Sequence, residues 1–167
     1  LVKMADRDIP EDEKGVISEK IAIGALKYQI LKQDSSKDVI YDKEKAISFE
    51  GDSGPYVQYA YVRSQALIQK AGEVGIKESL AAKGLEPYGL ENILYRFSDV
   101  VKRAGSEHAP QYITTYMTEL ASEFNSFYAK EKVADPSDPD AGYKLSLVKA
   151  VGQTLKNAME LLAIPVV

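Results

Sequence analysis

Four stretches of the sequence carry apolar residues at steps of three and four, and this spacing constrains the fold more than any other feature. The stretches run over residues 55–72, 89–105, 109–132 and 143–163. Steps of three and four place side chains on one face of an α-helix, so each stretch predicts a helix that buries one side. Short connections between such helices favour antiparallel neighbours. The residues therefore predict a mostly α protein whose main body is an antiparallel helical bundle.

Glycine and proline mark the ends of these predicted helices. Gly72 and Gly105 follow the first two stretches, and Pro165 follows the last. A polar loop with two prolines, "ADPSDPDAG", separates the third stretch from the fourth. The side chains that we expect in the core of the bundle are Leu94, Phe97, Met117, Leu120, Phe124, Leu155 and Leu162.

The beginning of the chain is patterned differently. "PEDEKGVISEKIAIGALKYQILKQ" predicts a helix, and "DVIYD" at residues 38–42 predicts a short strand. Glycines and a proline at residues 51–55 then indicate a loop and a new helix start. We therefore expect two segments, residues 1–50 and residues 51–167. Because Leu1 rather than Met opens the sequence, we interpret the chain as a piece of a longer protein.

Charge and composition narrow the range of partners. The net charge is −4, which argues against a protein that coats nucleic acid with its whole surface. Local basic groups could still meet the unpaired bases of an RNA loop. The chain has no cysteine, which excludes disulfides and is compatible with a reducing cytoplasm. Since no apolar run is long enough to span a bilayer, we expect no membrane partner, and we expect no DNA.

Residues that could carry out a reaction are not apparent. His108 is the only histidine, so a metal site would have to consist of carboxylates alone, and no spacing suggests one. No phosphate-binding glycine loop, dinucleotide fingerprint or nucleophile elbow is present. We predict no catalytic residue and no metal ligand, and we expect the chain alone to be inactive as an enzyme.

The stretch "SEFNSFYAKEK" combines aromatic and basic residues late in the third predicted helix. Asn125, Tyr128 and Lys132 fall on one row of that helix, beside the core positions of the two phenylalanines. An amide, an aromatic ring and a cation together suit an unpaired nucleotide. The alternative is that Tyr128 packs against a neighbouring helix and that Asn125 caps or bridges it.

Several blocks of the sequence resemble arginyl-tRNA synthetases. One block leads from the catalytic domain of that family into its helical anticodon-binding domain, and here it consists of Phe49, Glu50, Gly51, Pro55, Tyr56, Gln58, Tyr59, Ala60 and Arg63. A second block consists of Phe124, Asn125, Phe127 and Tyr128. "IAIGALKYQIL" and "LKNAMELLAI" are similar to helices that lie upstream of these blocks and at the end of the family's chains.

The resemblance implies an anticodon-binding domain of the class I synthetase type over residues 51–167. Residues 1–50 would be a short α/β remnant at the end of a catalytic domain. The implied function is recognition of the anticodon loop of arginine tRNA within a cytoplasmic ligase that joins arginine to its tRNA using ATP and Mg²⁺. The implied partners are that tRNA and the missing catalytic domain of the same chain, and the chain itself would hold no cofactor.

For the RNA contact we expect Asn125, Tyr128 and Lys132, together with Lys156 and Asn157 near the end of the last helix. Tyr128 would stack a base, Asn125 would orient that base or the ring, and the two lysines would face phosphates. The chain departs from the family in two ways. It ends in "IPVV" without the usual Arg-Met pair, and it has Lys132 where some members place an aromatic residue.

Two other interpretations remain open from the sequence. The eleven tyrosines could cover a helical bundle that docks another protein. The domain could also be a sister anticodon-binding domain, such as that of cysteinyl-tRNA synthetase. If residues 1–50 belong to the end of a missing catalytic domain, they should leave apolar positions such as Ile21, Ile23 and Tyr41 short of partners, which favours self-association.

Overall fold

The computed structural model describes residues 10–81 and 86–167. Within these residues the chain forms helices joined by turns and loops, and no strand is present. The helices are α1 (Glu11–Leu31), α2 (Lys43–Ala46), α3 (Gly54–Glu73), α4 (Gly89–Tyr95), α5 (Phe97–Ser106), α6 (Gln111–Lys130) and α7 (Ala141–Leu161). The predicted helical bundle is confirmed.

The core lies where α6 and α7 pack together and against α3 and α4. Met117, Leu120, Phe124 and Leu155 are fully buried there, and Leu162 is nearly so. The other two expected core residues, Leu94 and Phe97, are partly buried against the same cluster. The periodic stripes therefore identified the buried faces of these helices.

The strand expected at residues 38–42 is not formed. This segment has no regular secondary structure, and the Ile40 side chain is 85% exposed. A strand needs a neighbouring strand to accept and donate its backbone hydrogen bonds, and the described part of the chain supplies none. Asp42 instead caps α2, since its carboxylate accepts hydrogen bonds from the backbone N–H groups of Glu44 and Lys45.

One predicted helix is divided in two. The stretch at residues 89–105 turns at Arg96, where the backbone N–H bonds to the carbonyl of Ile93, three residues back. The turn places the Phe97 ring 5.4 Å from the ring of Tyr116 on α6, and it lets Arg96 form an ion pair with Glu119. The helix is thus interrupted at Arg96, where both neighbouring side chains contact α6. The spacing of apolar residues does not show this interruption.

α1 crosses α3 at two glycines. A Cβ atom on Gly54 would lie 2.5 Å from the backbone oxygen of Gly24, so only glycine allows this approach.

Farther along α1, the buried hydroxyl of Tyr28 donates a hydrogen bond to Asp52 and contacts the hydroxyl of Thr118 on α6. Burial, followed by the contact with Asp52, raises the pKa of Tyr28 well above its usual range. No helix in the described ranges is long and apolar enough to cross a membrane.

Candidate nucleic-acid interface

Arg63 lies at the centre of a polar cluster on the surface where α3 meets α6. Its guanidinium carbon is 4.6 Å from the ring centre of Tyr59 and 4.5 Å from that of Tyr128. One terminal nitrogen donates a 2.6 Å hydrogen bond to Oδ1 of Asn125, and the other donates a 3.1 Å hydrogen bond to the hydroxyl of Tyr59. We call these four residues the Arg63 cluster.

Tyr128 is a surface residue of this cluster. Its side chain is 41% exposed, whereas Phe124, one turn earlier on α6, is fully buried. The two ring centres are 6.4 Å apart, so the tyrosine rests on the core without entering it. Tyr128 is therefore not a core residue, and part of its ring remains exposed. Asn125 does bridge to α3 through Arg63, as the alternative expected.

Asn125 is held in one orientation by Arg63. The arginine can only donate hydrogen bonds, so the amide oxygen of Asn125 must face it. The NH₂ group of the amide then points away from the arginine and can donate to an acceptor on a base edge. Asn125 and Tyr128, which the sequence placed on one row of α6, thus lie side by side. Arg63 of α3 contacts both of them.

Lys132 lies just beyond the end of α6. The side chain of Lys132 is exposed, whereas that of the next residue, Val133, is buried. The residue before Lys132, Glu131, forms a 2.5 Å ion pair with Lys144 of α7. The charge of Lys132 is partly balanced, because it lies near Asp135. Hydrogen bonds from Ser137 hold the pKa of Asp135 below its usual value, and Lys132 contributes to that lowering.

Lys156 and Asn157 lie elsewhere on the bundle. Asn157 borders a shallow groove between α5 and α7, together with Phe97 and Val101. Lys156 is 3.9 Å from the carboxylate of Glu160. The described hydrogen bonds and ion pairs of Lys156 and Asn157 are to other residues of α7, Glu160 and Gln153. The structure does not bring these two residues into the Arg63 cluster.

Arg63 and Tyr59 are not among the residues predicted from the sequence to contact RNA. Both residues belong to the block that resembles arginyl-tRNA synthetases, but no contact with RNA was predicted for them. Their spacing of four places them on one face of α3, which was a usable signal. That this face meets Asn125 and Tyr128 depends on how α3 packs on α6.

The described residues offer no site for the cofactors of a ligase. No group of three or more histidine, aspartate or glutamate side chains among them could hold a metal ion. His108, the only histidine, is exposed at the turn before α6. The sequence contains no glycine loop for phosphates, so these residues do not fit ATP with Mg²⁺.

Comparison with known proteins identifies the kind of module. Residues 57–167 match the DALR anticodon binding domain family, and the chain belongs to that family. The chain is 35% identical over 156 residues to the arginine–tRNA ligase of Clostridium botulinum strain Hall, a match that covers 92% of this chain and 28% of the ligase. It is 32% identical over 176 residues to the Pyrococcus furiosus arginine–tRNA ligase, a match that covers 98% of this chain and 28% of that ligase.

A solved structure supports the same relationship. Arginyl-tRNA synthetase from Thermus thermophilus superposes with a TM-score of 0.81 at 30% identity, covering 99% of this chain and 29% of that one. The chain thus spans about 28% of the length of the curated relatives it matches. These matches favour an anticodon-binding module over a helical bundle that docks another protein, and over a cysteinyl relative.

Proposed function

We propose that this chain binds the anticodon loop of arginine tRNA and that the Arg63 cluster is its central contact. The observation that carries the proposal is the exposed ring of Tyr128 beside a cation, in a chain of the DALR anticodon binding domain family. An anticodon loop presents unpaired bases, and such bases are recognised by stacking on aromatic side chains and by hydrogen bonds at their edges.

Each residue of the proposed contact has a distinct role. Tyr128 stacks a base, and Asn125 donates a hydrogen bond to an acceptor on that base through its free NH₂ group. Lys132 faces a phosphate from the end of α6. Lys156 and Asn157 supply a second contact, and Asn157 borders the groove between α5 and α7.

The activity proposed for the full-length protein is that of an arginine–tRNA ligase in the cytoplasm. ATP with Mg²⁺ and the chemistry of aminoacylation would belong to a catalytic domain outside this chain. Residues 1–50 would be the end of that domain, and the domain itself would be a partner of α1. An aminoacylation assay with the chain alone should give no turnover that depends on arginine.

Binding of an anticodon stem–loop to the chain tests the proposal. Tyr128→Ala removes the stacking surface and should weaken binding by about 5- to 150-fold, which corresponds to ~1–3 kcal/mol. Tyr128→Phe keeps the ring and should retain the affinity. Tyr41→Ala is the matched control, because Tyr41 is similarly exposed, at 49%, but lies before α2.

Fluorescence anisotropy gives the affinity, and thermal unfolding of each variant shows whether its fold survives. A stem–loop with the anticodon of cysteine tRNA should bind more weakly than the arginine one. If Tyr128→Ala binds the arginine stem–loop as tightly as the parent chain while remaining folded, the site assignment is wrong.

A further inference from the structure

We infer that the buried hydroxyl of Tyr28 is a latch between α1 and α6, and that it makes α1 and the Arg63 cluster move as one rigid unit. The latch consists of Tyr28, Asp52 and Thr118, and none of these residues belongs to the proposed RNA contact. Where the inference concerns RNA, it rests on the proposed function.

Few apolar contacts attach α1 to the bundle. The buried hydrophobic residues of α1 are Ile21, Ala25 and Tyr28, and the close approach to α3 is made by two glycines. The free energy of apolar burial grows with the area that is removed from water, and alanine and glycine contribute little of that area. The position of α1 therefore depends strongly on polar contacts.

The hydroxyl of Tyr28 makes polar contacts with two other segments. It donates a hydrogen bond to Asp52, in the loop before α3, and it contacts the hydroxyl of Thr118 on α6. Asp52 also accepts a 3.2 Å hydrogen bond from Thr118 and forms a 3.3 Å ion pair with Lys32, just after the end of α1. One carboxylate thus joins α1, the loop and α6.

Burial makes the contact of Tyr28 effective as a latch. The side chain is fully buried, and burial raises the pKa of Tyr28, so the hydroxyl keeps its proton for Asp52 at neutral pH. A hydrogen bond to a charged group is stronger than one between neutral groups. Removing the hydroxyl alone should therefore loosen α1 while the ring still fills its place in the core.

The latch lies on the same side of α6 as the proposed RNA contact. Thr118 and Asn125 are seven residues apart, which is two helical turns, so they lie on one side of α6 and about 10 Å apart along its axis. Between them α6 is one continuous helix. A displacement of α1 that moves Thr118 therefore also moves Asn125.

A second contact connects α1 to the part of the Arg63 cluster that lies on α3. The rings of Tyr59 and Phe49 pack nearly perpendicular to each other, with their centres 6.2 Å apart. The same two residues line a small cavity together with Ile21 of α1. α1 is thus connected to the cluster through α6 and through α3. A domain that covers the outer face of α1 would then hold the RNA-binding surface in a fixed position.

Hydrogen exchange of the backbone amides, measured by mass spectrometry, tests the latch. Tyr28→Phe removes only the hydroxyl and should speed exchange in α1 by about tenfold or more, while α7 exchanges as in the parent chain. Tyr116→Phe is the matched control, because Tyr116 is a buried tyrosine whose hydroxyl donates a 3.1 Å hydrogen bond to the carbonyl of Ile93. This control should leave the exchange of α1 unchanged.

Asp52→Ala gives an independent version of the same test. It removes the acceptor of the Tyr28 hydrogen bond from a side chain that is 56% exposed, so the fold should survive and α1 should again exchange faster. If α1 exchanges in Tyr28→Phe and in Asp52→Ala as it does in the parent chain, or if Tyr116→Phe speeds it equally, the inference is overturned.

The anticodon stem–loop tests the connection between α1 and the Arg63 cluster. A ligand that binds only the folded site slows exchange of those amides whose opening destroys the site. Bound stem–loop should therefore slow α1 together with α6 in the parent chain, and should slow α6 alone in Tyr28→Phe.

The two proposals fail in different ways in this experiment. If the parent chain binds the stem–loop and exchange slows in α6 but not in α1, the inference is overturned while the proposed function stands. If the parent chain binds no stem–loop, the proposed function fails, and the exchange of α1 in the variants of Tyr28, Asp52 and Tyr116 still decides whether the latch exists.

Discussion

Two helices of nearly equal length, α6 and α1, use their apolar residues in opposite ways. α6 buries a continuous stripe that includes Met117, Leu120 and Phe124, and its exposed face is mainly polar. α1 buries a shorter set of residues against α3 and α6, and Ile21, which was expected to lack partners, is among them. Four of its large apolar residues are exposed, namely Val16, Ile23, Leu26 and Ile30.

The contrast indicates that the two helices differ in how complete their surroundings are. A helix with apolar residues on all sides is typical of a position buried within a larger protein. α6 has neighbours that cover its whole stripe, whereas α1 has neighbours on one side. We propose that the catalytic domain of a full-length ligase covers the other side.

The largest expected effect is on stability. Phe124→Ala should lower the free energy of unfolding by ~3–5 kcal/mol, because the fully buried ring would leave a cavity. Leu26→Ala in α1 is the comparison and should change it by less than about 0.5 kcal/mol, since Leu26 is 48% exposed. Urea unfolding of both variants gives the two values. Similar losses for the two would show that α1 is as well covered as α6.

Removing a lysine beside the end of α6 should lower the free energy of unfolding more than removing one at the end of α1. Lys144 holds the end of α6 through Glu131 and Asp138, and its side chain is only 10% exposed. Lys144→Met should cost about 3 kcal/mol near neutral pH, because it leaves two partly buried carboxylates unpaired. Lys32→Met at the end of α1 removes an exposed pair with Asp52 and should cost less than about 1 kcal/mol.

The cost of Lys144→Met should also depend on pH. Hydrogen bonds from Lys144 and from the backbone of Asp140 hold the pKa of Asp138 below its usual value. Stability from a lowered carboxyl pKa is present above the unfolded value, about 3.9, and is lost as the pH falls through the folded value. Unfolding measured from neutral to acid pH should therefore show the parent chain and Lys144→Met converging below about pH 4. A constant difference would contradict this role.

The smallest effect on stability is expected on the outer face of α1. Ile23→Ser with Ile30→Ser should change the free energy of unfolding by about 0.5 kcal/mol or less per site, because these side chains are 36% and 47% exposed. The same double variant should reduce self-association of the chain, which an exposed apolar patch favours. Light scattering over a range of concentrations measures it. A parent chain that stays strictly monomeric would contradict the prediction.

Much of the fold could be predicted from the sequence, and less of the site. That Asn125 and Tyr128 lie side by side could be predicted, because they are neighbours on one helix. The contact of Arg63 with Asn125 could not be predicted, because Asn125 lies about sixty residues away and meets Arg63 only through the packing of α3 on α6. The expected strand at residues 38–42 failed for a similar reason, since β-branched residues favour a strand only where another strand can pair with them.

The sequence by itself determined the helices, the buried faces of α6 and α7 and the family resemblance. Each of these depends on residues that are close together in the sequence, which set the helical periodicity and make up the short family motifs. Only the tertiary structure decided that Arg63 lies between two tyrosines and that Lys156 and Asn157 lie apart from them. The physical reason is that a binding surface combines residues from separate helices. Their relative position follows from the packing between those helices, such as the close approach of α1 and α3 at Gly24 and Gly54.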